Sequence, residues 1–306
     1  MNASTGAGGG AAVRPKAITG VSADSFAPES GARTIWRRFA RHRLAVAGLI
    51  VTALLILTAI LAPYLTPHSP YAVTASFSAA PSADHWLGTD PVGRDVLSRL
   101  IAASRVSLLV GFSTVALYMT FGTLVGLISG YAGGWLDSAV MRITDMFMAF
   151  PFLMVILVVV SALGAGLSTL IWVLALFSWP AVARLVRSSV LSIKRLDYVR
   201  AGVALGLGTP RILFGHILPN ALGPIIVNAT FGVASAIVSE AGLSFLGMGV
   251  QPPTASWGNM LTDAQSLTVL TEQPWLWVPA GSMLLVTVLA INFVGDGLRD
   301  ALDPKQ

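Results

Sequence analysis

The feature that most constrains this chain is residues 44–65, an apolar run without a single charged side chain. At about 1.5 Å of rise per residue, a helix of that length crosses the roughly 30 Å hydrocarbon core of a bilayer. Arg33, Arg37, Arg38, Arg41 and Arg43 stand directly before it, the arrangement of a start signal for insertion. A cleaved signal peptide would carry an apolar region of about 7–15 residues ending at a small-residue site. This run is longer and ends around Pro63, so an uncleaved anchor is expected.

Five further apolar runs follow, at 107–130, 147–163, 169–186, 221–239 and 275–294. They account for a composition that is 55% hydrophobic and only 11% charged, against about 25% charged in a soluble domain. Segments of about ten residues with alternating polarity, the mark of a membrane barrel, are missing. Inside lipid the backbone must then be satisfied by helices. The expectation is an all-α integral membrane protein with six transmembrane helices. Residues 1–31, rich in Gly, Ala and Ser and holding no apolar run, read as a disordered tail.

The 19 Lys and Arg fix an expected orientation. With the amino terminus inside, 16 of them fall in cytoplasmic segments and three, Arg94, Arg99 and Arg105, fall outside. Both termini are expected in the cytoplasm. A net charge of +5 would suggest nucleic acid only if the basic residues formed one face, and here they lie between spans. No nucleic-acid partner is expected; the lipid bilayer is. The chain has no cysteine, which removes disulfides, thiolate nucleophiles and Cys-based zinc sites.

Catalytic signatures are missing as well: no GxxxxGK[ST], HExxH or GxSxG occurs. The chain is expected to be non-catalytic and to bind no nucleotide through a P-loop. His42, His68, His85 and His216 are too scattered along the sequence to suggest a metal site, and no metal is expected. The acids nearest the spans, Asp145, Glu240 and Asp296, all fall at predicted ends, so no proton relay is visible. That disfavours an ion-coupled secondary transporter acting alone, the competing reading. An intramembrane enzyme is disfavoured by the lack of a paired nucleophile and base.

Within the second run Gly122, Gly126 and Gly130 recur at every fourth position, a side-chain-free face on which another helix can pack closely. Trp179-Pro180 in the fourth run predicts a kink, because proline removes a helical donor. Asp90, Arg94, Asp95 and Arg99 place opposite charges at helical spacing, and Gly88 and Gly93 permit tight turns. A solvated surface helix with a structural role near the pore mouth accounts for these charges.

The most informative segment is 196–224, LDYVRAGVALGLGTPRILFGHILPNALGP. Residues 198–207 have helical spacing, Gly208-Thr209-Pro210 interrupts them, and a second helix over 211–218 is expected to stop at Pro219. The segment resembles the EAA loop of ABC-importer permeases, which reads EAA, three residues, Gly, nine residues, I-x-L-P. Arg200-Ala201-Gly202, Gly206 and His216-Ile217-Leu218-Pro219 fill those places, with Arg200, Gly202 and His216 departing from the pattern. Gly202 puts the stiffness of the first helix in question, since Gly costs about 1 kcal/mol relative to Ala there.

Two more stretches are similar to the C-type permease of dipeptide and oligopeptide importers: residues 85–99, HWLGTDPVGRDVLSR, and residues 240–253, which open EAGLSFLG and close QPP. The resemblance runs from about Arg33 to Pro304. It implies a type I importer permease fold with a cytoplasmic tail at 1–43, a first helix at 44–65 and an extracytoplasmic loop at 66–104. A type-1 transmembrane domain at 105–296, containing a coupling loop at 187–220, and a cytoplasmic tail at 297–306 complete it.

It further implies a second permease subunit, one or two P-loop ATPase subunits holding ATP and Mg, and an extracytoplasmic substrate-binding protein. Coupling to the ATPases would fall on Asp197, Tyr198, Arg200, Ala201, Gly202, Gly206, His216, Leu218 and Pro219. The implied cargo is di- or oligopeptides, with nickel or glutathione as alternatives.

Overall fold

The computed structural model describes residues 31–302. Among the described residues the regular structure is helical, with a long loop at 66–95, and no strand occurs. The expected disordered tail at 1–31 lies almost wholly outside them. Residues 31–41, within the cytoplasmic tail expected at 1–43, form a short amphipathic helix α1 (Gly31–Arg41). Its Phe39 is buried against Ala45 and Ala301, which anchors it to the ends of two spans.

Among the described residues five helices are long and apolar enough to cross a membrane: α2 (Arg43–Leu65), α3 (Val96–Ala132), α6 (Leu167–Ile193), the unit Thr209–Phe245, and α12 (Val278–Leu302). The run at 147–163, expected as one straight span, is instead two helices. These are α4 (Gly134–Met148) and α5 (Phe152–Leu163), bent by 82° across a short break that holds Pro151. Counting that pair as one span gives six. The physical cause is Pro151, which disfavours the helical conformation at Phe150 and stands just before the first turn of α5.

Side chains at the helix starts fix the boundaries. His42 Nδ1 accepts from the Ala45 N–H at 3.1 Å to open α2, and Asp95 Oδ2 accepts from the Ser98 N–H at 2.8 Å to open α3. Several hydroxyls inside the spans fold back on their own helix, as Thr120 does onto the Ala116 carbonyl and Thr287 onto that of Met283. Each such group then needs no partner from lipid.

At the centre α3 packs against α2, α6 and the last part of the 209–245 unit, α9 (Leu218–Phe245), while α2 and α9 both lie on α12. Gly122, Gly126 and Gly130 lie on α6: a Cβ at Gly126 would stand 2.5 Å from the Ala183 carbonyl oxygen and 2.8 Å from Val186 Cβ. The outer face of α2 carries exposed Ile50, Leu54, Leu57 and Ile60, a surface suited to lipid or another apolar face and not to water. Pro180 sits within α6, which continues unbroken through it.

Candidate functional site

Between α6 and α9 the chain makes an elbow. Helix α7 (Asp197–Ala204) is followed by a turn, by the four-residue α8 (Thr209–Ile212) and by a π-helical turn, Leu213–Ile217, that runs directly into α9. Helix α7 ends in a Schellman motif: the Leu207 N–H donates to the Gly202 carbonyl at 3.1 Å and the Gly206 N–H to that of Val203 at 3.0 Å. Gly206 has φ +79°, the left-handed conformation such a cap requires. Gly202, the departure that put the helix in question, is buried beneath Leu207, whose Cδ1 would lie 3.2 Å from an added Cβ. Its lack of a side chain lets the cap fold tightly.

The expected stop at Pro219 does not occur. Proline stands in the first turn of α9, and the Leu218 N–H reaches back five residues to the Leu213 carbonyl. The widened π turn removes the usual clash of a proline ring with the carbonyl four residues earlier. Asn220 Nδ2 donates to the His216 carbonyl at 2.6 Å and satisfies one of the groups freed there.

Among the proposed coupling residues, Asp197, Tyr198, Arg200, Ala201 and Gly206 are exposed, as is Pro219. His216 and Leu218 are half-buried, and Gly202 faces inward. Val203, Leu205 and Phe214 add apolar surface; Leu205 is 83% exposed. An apolar patch of this kind, carried on a hydrogen-bonded elbow, is suited to a protein partner.

A cleft of about 440 Å³ opens between α3, α6, α9 and the α4–α5 break. Phe147, Phe150, Phe152, Phe177 and Phe231 supply its aromatic walls, and Asn228, Ser178 and Ser235 its polar groups. No sequence signal selects these residues, because the helices that supply them become neighbours only in the fold.

At the opposite end of α3 from the elbow, the charges read as a solvated surface are buried. Asp90, Asp95 and Arg99 are each about 5% exposed or less. Asp90 Oδ2 lies 2.7 Å from Arg94 Nε and 3.4 Å from Arg99 Nε, and Asp90 Oδ1 accepts the Val92 and Arg94 N–H groups at 2.9 Å. Gly88 and Gly93 make the turns that fold the loop inward, at φ 72° and 89°. Asp263 lines the same pocket; burial, helped by the nearby Asp90 charge, pushes its carboxyl above the ordinary aspartate range.

Glu240 is also reassigned. Helix α9 continues past it to Phe245, so it lies within the bundle, fully buried, and accepts from Ser244 at 2.7 Å and Ser107 at 3.1 Å. Ser107 Oγ in turn accepts the N–H of Trp257, the first residue of α10 (Trp257–Met260). This joins α3, α9 and the following loop, with no second acid to relay a proton among the hydrogen bonds described.

The family described as the binding-protein-dependent transport system inner membrane component matches residues 122–306, more than half of the chain. The chain belongs to that family. It is therefore a multi-pass inner membrane permease, with a second match at residues 30–82 to the N-terminal transmembrane domain of oligopeptide transport permease C. It is 42% identical to the dipeptide transport system permease protein DppC of Alkalihalophilus pseudofirmus over 92% of each chain. It is 43% identical to the oligopeptide transport system permease protein OppC of Bacillus subtilis, over 89% of this permease and 90% of that one. The glutathione transport system permease protein GsiD of Pectobacterium atrosepticum is 42% identical over 89% and 91% of the two chains.

Proposed function

We propose that this permease is one membrane subunit of an ATP-driven importer of di- or oligopeptides. It supplies half of a passage completed by a second permease, receives cargo from an extracytoplasmic binding protein, and is driven by one or two P-loop ATPase subunits that hold the ATP and Mg. The chain itself catalyses nothing. The observation that carries the reading is the elbow at 194–217: a capped, exposed, apolar protrusion built on the segment that resembles the EAA loop, continuous with a membrane helix. Such a rigid element can hand a nucleotide-driven movement to the bundle.

The aromatic cleft with a few amide and hydroxyl groups supports peptides as cargo, since peptide side chains meet the rings while backbone groups find hydrogen bonds. The assembled complex in proteoliposomes is the test. Peptide uptake is expected to need ATP and the binding protein; uptake by the permease alone, driven by a proton or sodium gradient, would end this reading. Competition among dipeptides, longer peptides, glutathione and nickel in that assay identifies the cargo.

Both termini and the coupling loop at 187–220 are assigned to the cytoplasm. Because the chain has no cysteine, single replacements report cleanly. Ala83→Cys and Ser266→Cys, both exposed, should react with an impermeant thiol reagent in cells whose outer barrier has been opened. Ser192→Cys should react only after lysis. The opposite pattern reverses the orientation.

A further inference from the structure

The loop between α2 and α3 returns two histidines to the first turn of α3. The His68 main-chain N–H donates to Ser98 Oγ at 3.1 Å, and the His85 N–H to Ser82 Oγ at 3.1 Å, so both backbones are held. Asp95 uses Oδ2 to cap α3, which leaves Oδ1 facing the two imidazoles. It lies 2.9 Å from His85 Nδ1 and 4.0 Å from His68 Nδ1. The ring centroids are 5.0 Å apart, and one ligand atom from each of the three residues falls within 4.8 Å of the others.

We propose that His68, His85 and Asp95 form a binding site for a single zinc ion or a similar borderline divalent cation. Zinc bonds imidazole nitrogen and carboxylate oxygen at about 2.0–2.2 Å, which sets ligand atoms about 3.3 Å apart in a tetrahedron. The His85–Asp95 pair is already near that spacing, and the His68 ring has to move inward by up to about 1.5 Å to reach it.

Exposure grades the site from inside to outside. The Asp95 side chain is 3% exposed, that of His85 14% and that of His68 46%. The three ligands thus leave one coordination position toward solvent. Two imidazoles with one carboxylate suit zinc, cobalt or nickel and not calcium or magnesium, which take oxygen sets. The bound ion replaces the His85–Asp95 hydrogen bond and cross-links residue 68, just past the end of α2, to the start of α3. It adds a cross-link to a loop already held by hydrogen bonds, the Asp90–Arg99 ion pair and the packing of Leu87. The reading rests on these residues alone and is independent of what the permease carries.

Tag-free full-length chain in nanodiscs, stripped with a chelator, is titrated with cobalt(II). One equivalent should give visible d–d absorption of a four- or five-coordinate ion, bleached by zinc, and zinc should raise the melting midpoint. His68→Ala is expected to weaken binding at least about 100-fold, at the upper end of what even a supporting residue contributes. Its unchanged metal-free melting midpoint would show that it is folded.

His68→Cys provides a second readout, because it places the protein's sole thiol at the site and should add a near-ultraviolet thiolate-to-cobalt band. A double variant lacking His42 and His216 should bind as the wild type does. Wild-type chain that takes up no cobalt, His68→Ala that binds as tightly as wild type, or His68→Cys without the thiolate band would each overturn the proposal.

Discussion

Gly206→Val is expected to lower ATP-driven uptake by at least tenfold while leaving the amount of permease in the membrane unchanged. The residue lies outside every span, and a Cβ placed there would meet nothing within 4 Å, so no clash disturbs insertion or the bundle. The defect is conformational. At φ +79° a β-branched side chain is a genuine outlier, costing roughly 1–2 kcal/mol or more. Each 1.4 kcal/mol shifts an equilibrium about tenfold, so the cap that orients α7 would lose at least about that much of its advantage over uncapped states. Gly206→Asn separates this cause from a steric one, because Asn tolerates the left-handed region. Asn should retain most of the uptake, with ATPase subunits still co-purifying. Equal loss in both variants would assign the effect to the contact surface, and normal uptake by the Val variant would remove this elbow from the coupling path.

Gly126→Leu should cost roughly 3 kcal/mol or more, above the ordinary range for overpacking, because the obstacle is backbone. A side chain at that position meets the Ala183 carbonyl at 2.5 Å and the Arg187 nitrogen at 3.1 Å, neither of which can rotate away. Helices α3 and α6 would have to separate. That movement strains the bidentate Arg187–Asp137 pair, whose nitrogen–oxygen distances are 2.5 and 2.6 Å, and the 2.8 Å bond from Lys194 Nζ to the Gly130 carbonyl. The expected readout is a lower melting midpoint of the purified permease and less assembled complex, with Gly126→Ala intermediate. A Leu variant as stable as wild type would show that the bundle can open at this seam at little cost.

Much of the fold was legible because bilayer physics leaves few choices. Uninterrupted apolar runs of span length become helices, and glycines four apart mark a face whatever they pack against. Reading failed where the outcome depends on an environment that only the fold supplies. Asp90, Arg94 and Arg99 read from sequence as a solvated surface because acids and guanidinium groups are rarely buried unless paired, and their pairing is visible only once Gly88 and Gly93 turn the loop inward. His68 and His85 are far apart in sequence and adjacent in space for the same reason. Pro151 and Pro219 carry the opposite lesson: the same residue separates two helices at an 82° bend and begins a third, according to whether the backbone before it can widen. The segment 196–224 was legible as a pattern of Gly and Leu-Pro spacing; the aromatic cleft was not, because its walls come from helices that become neighbours only in the fold.

The π turn at Leu213–Ile217 leaves no joint between the elbow and the span that follows, and this has a mechanical meaning. Thr209–Phe245 is one rod of 37 residues, about 55 Å at ordinary helical rise. Turned by about 5° at its foot, a stiff rod of that length sweeps its far end through about 5 Å. Glu240, with its clasp on Ser107, rides close to that far end. Were a partner to push on the elbow, leverage along this rod would turn a slight tilt at one end into a displacement of several ångströms at the other, with no relay of side chains required.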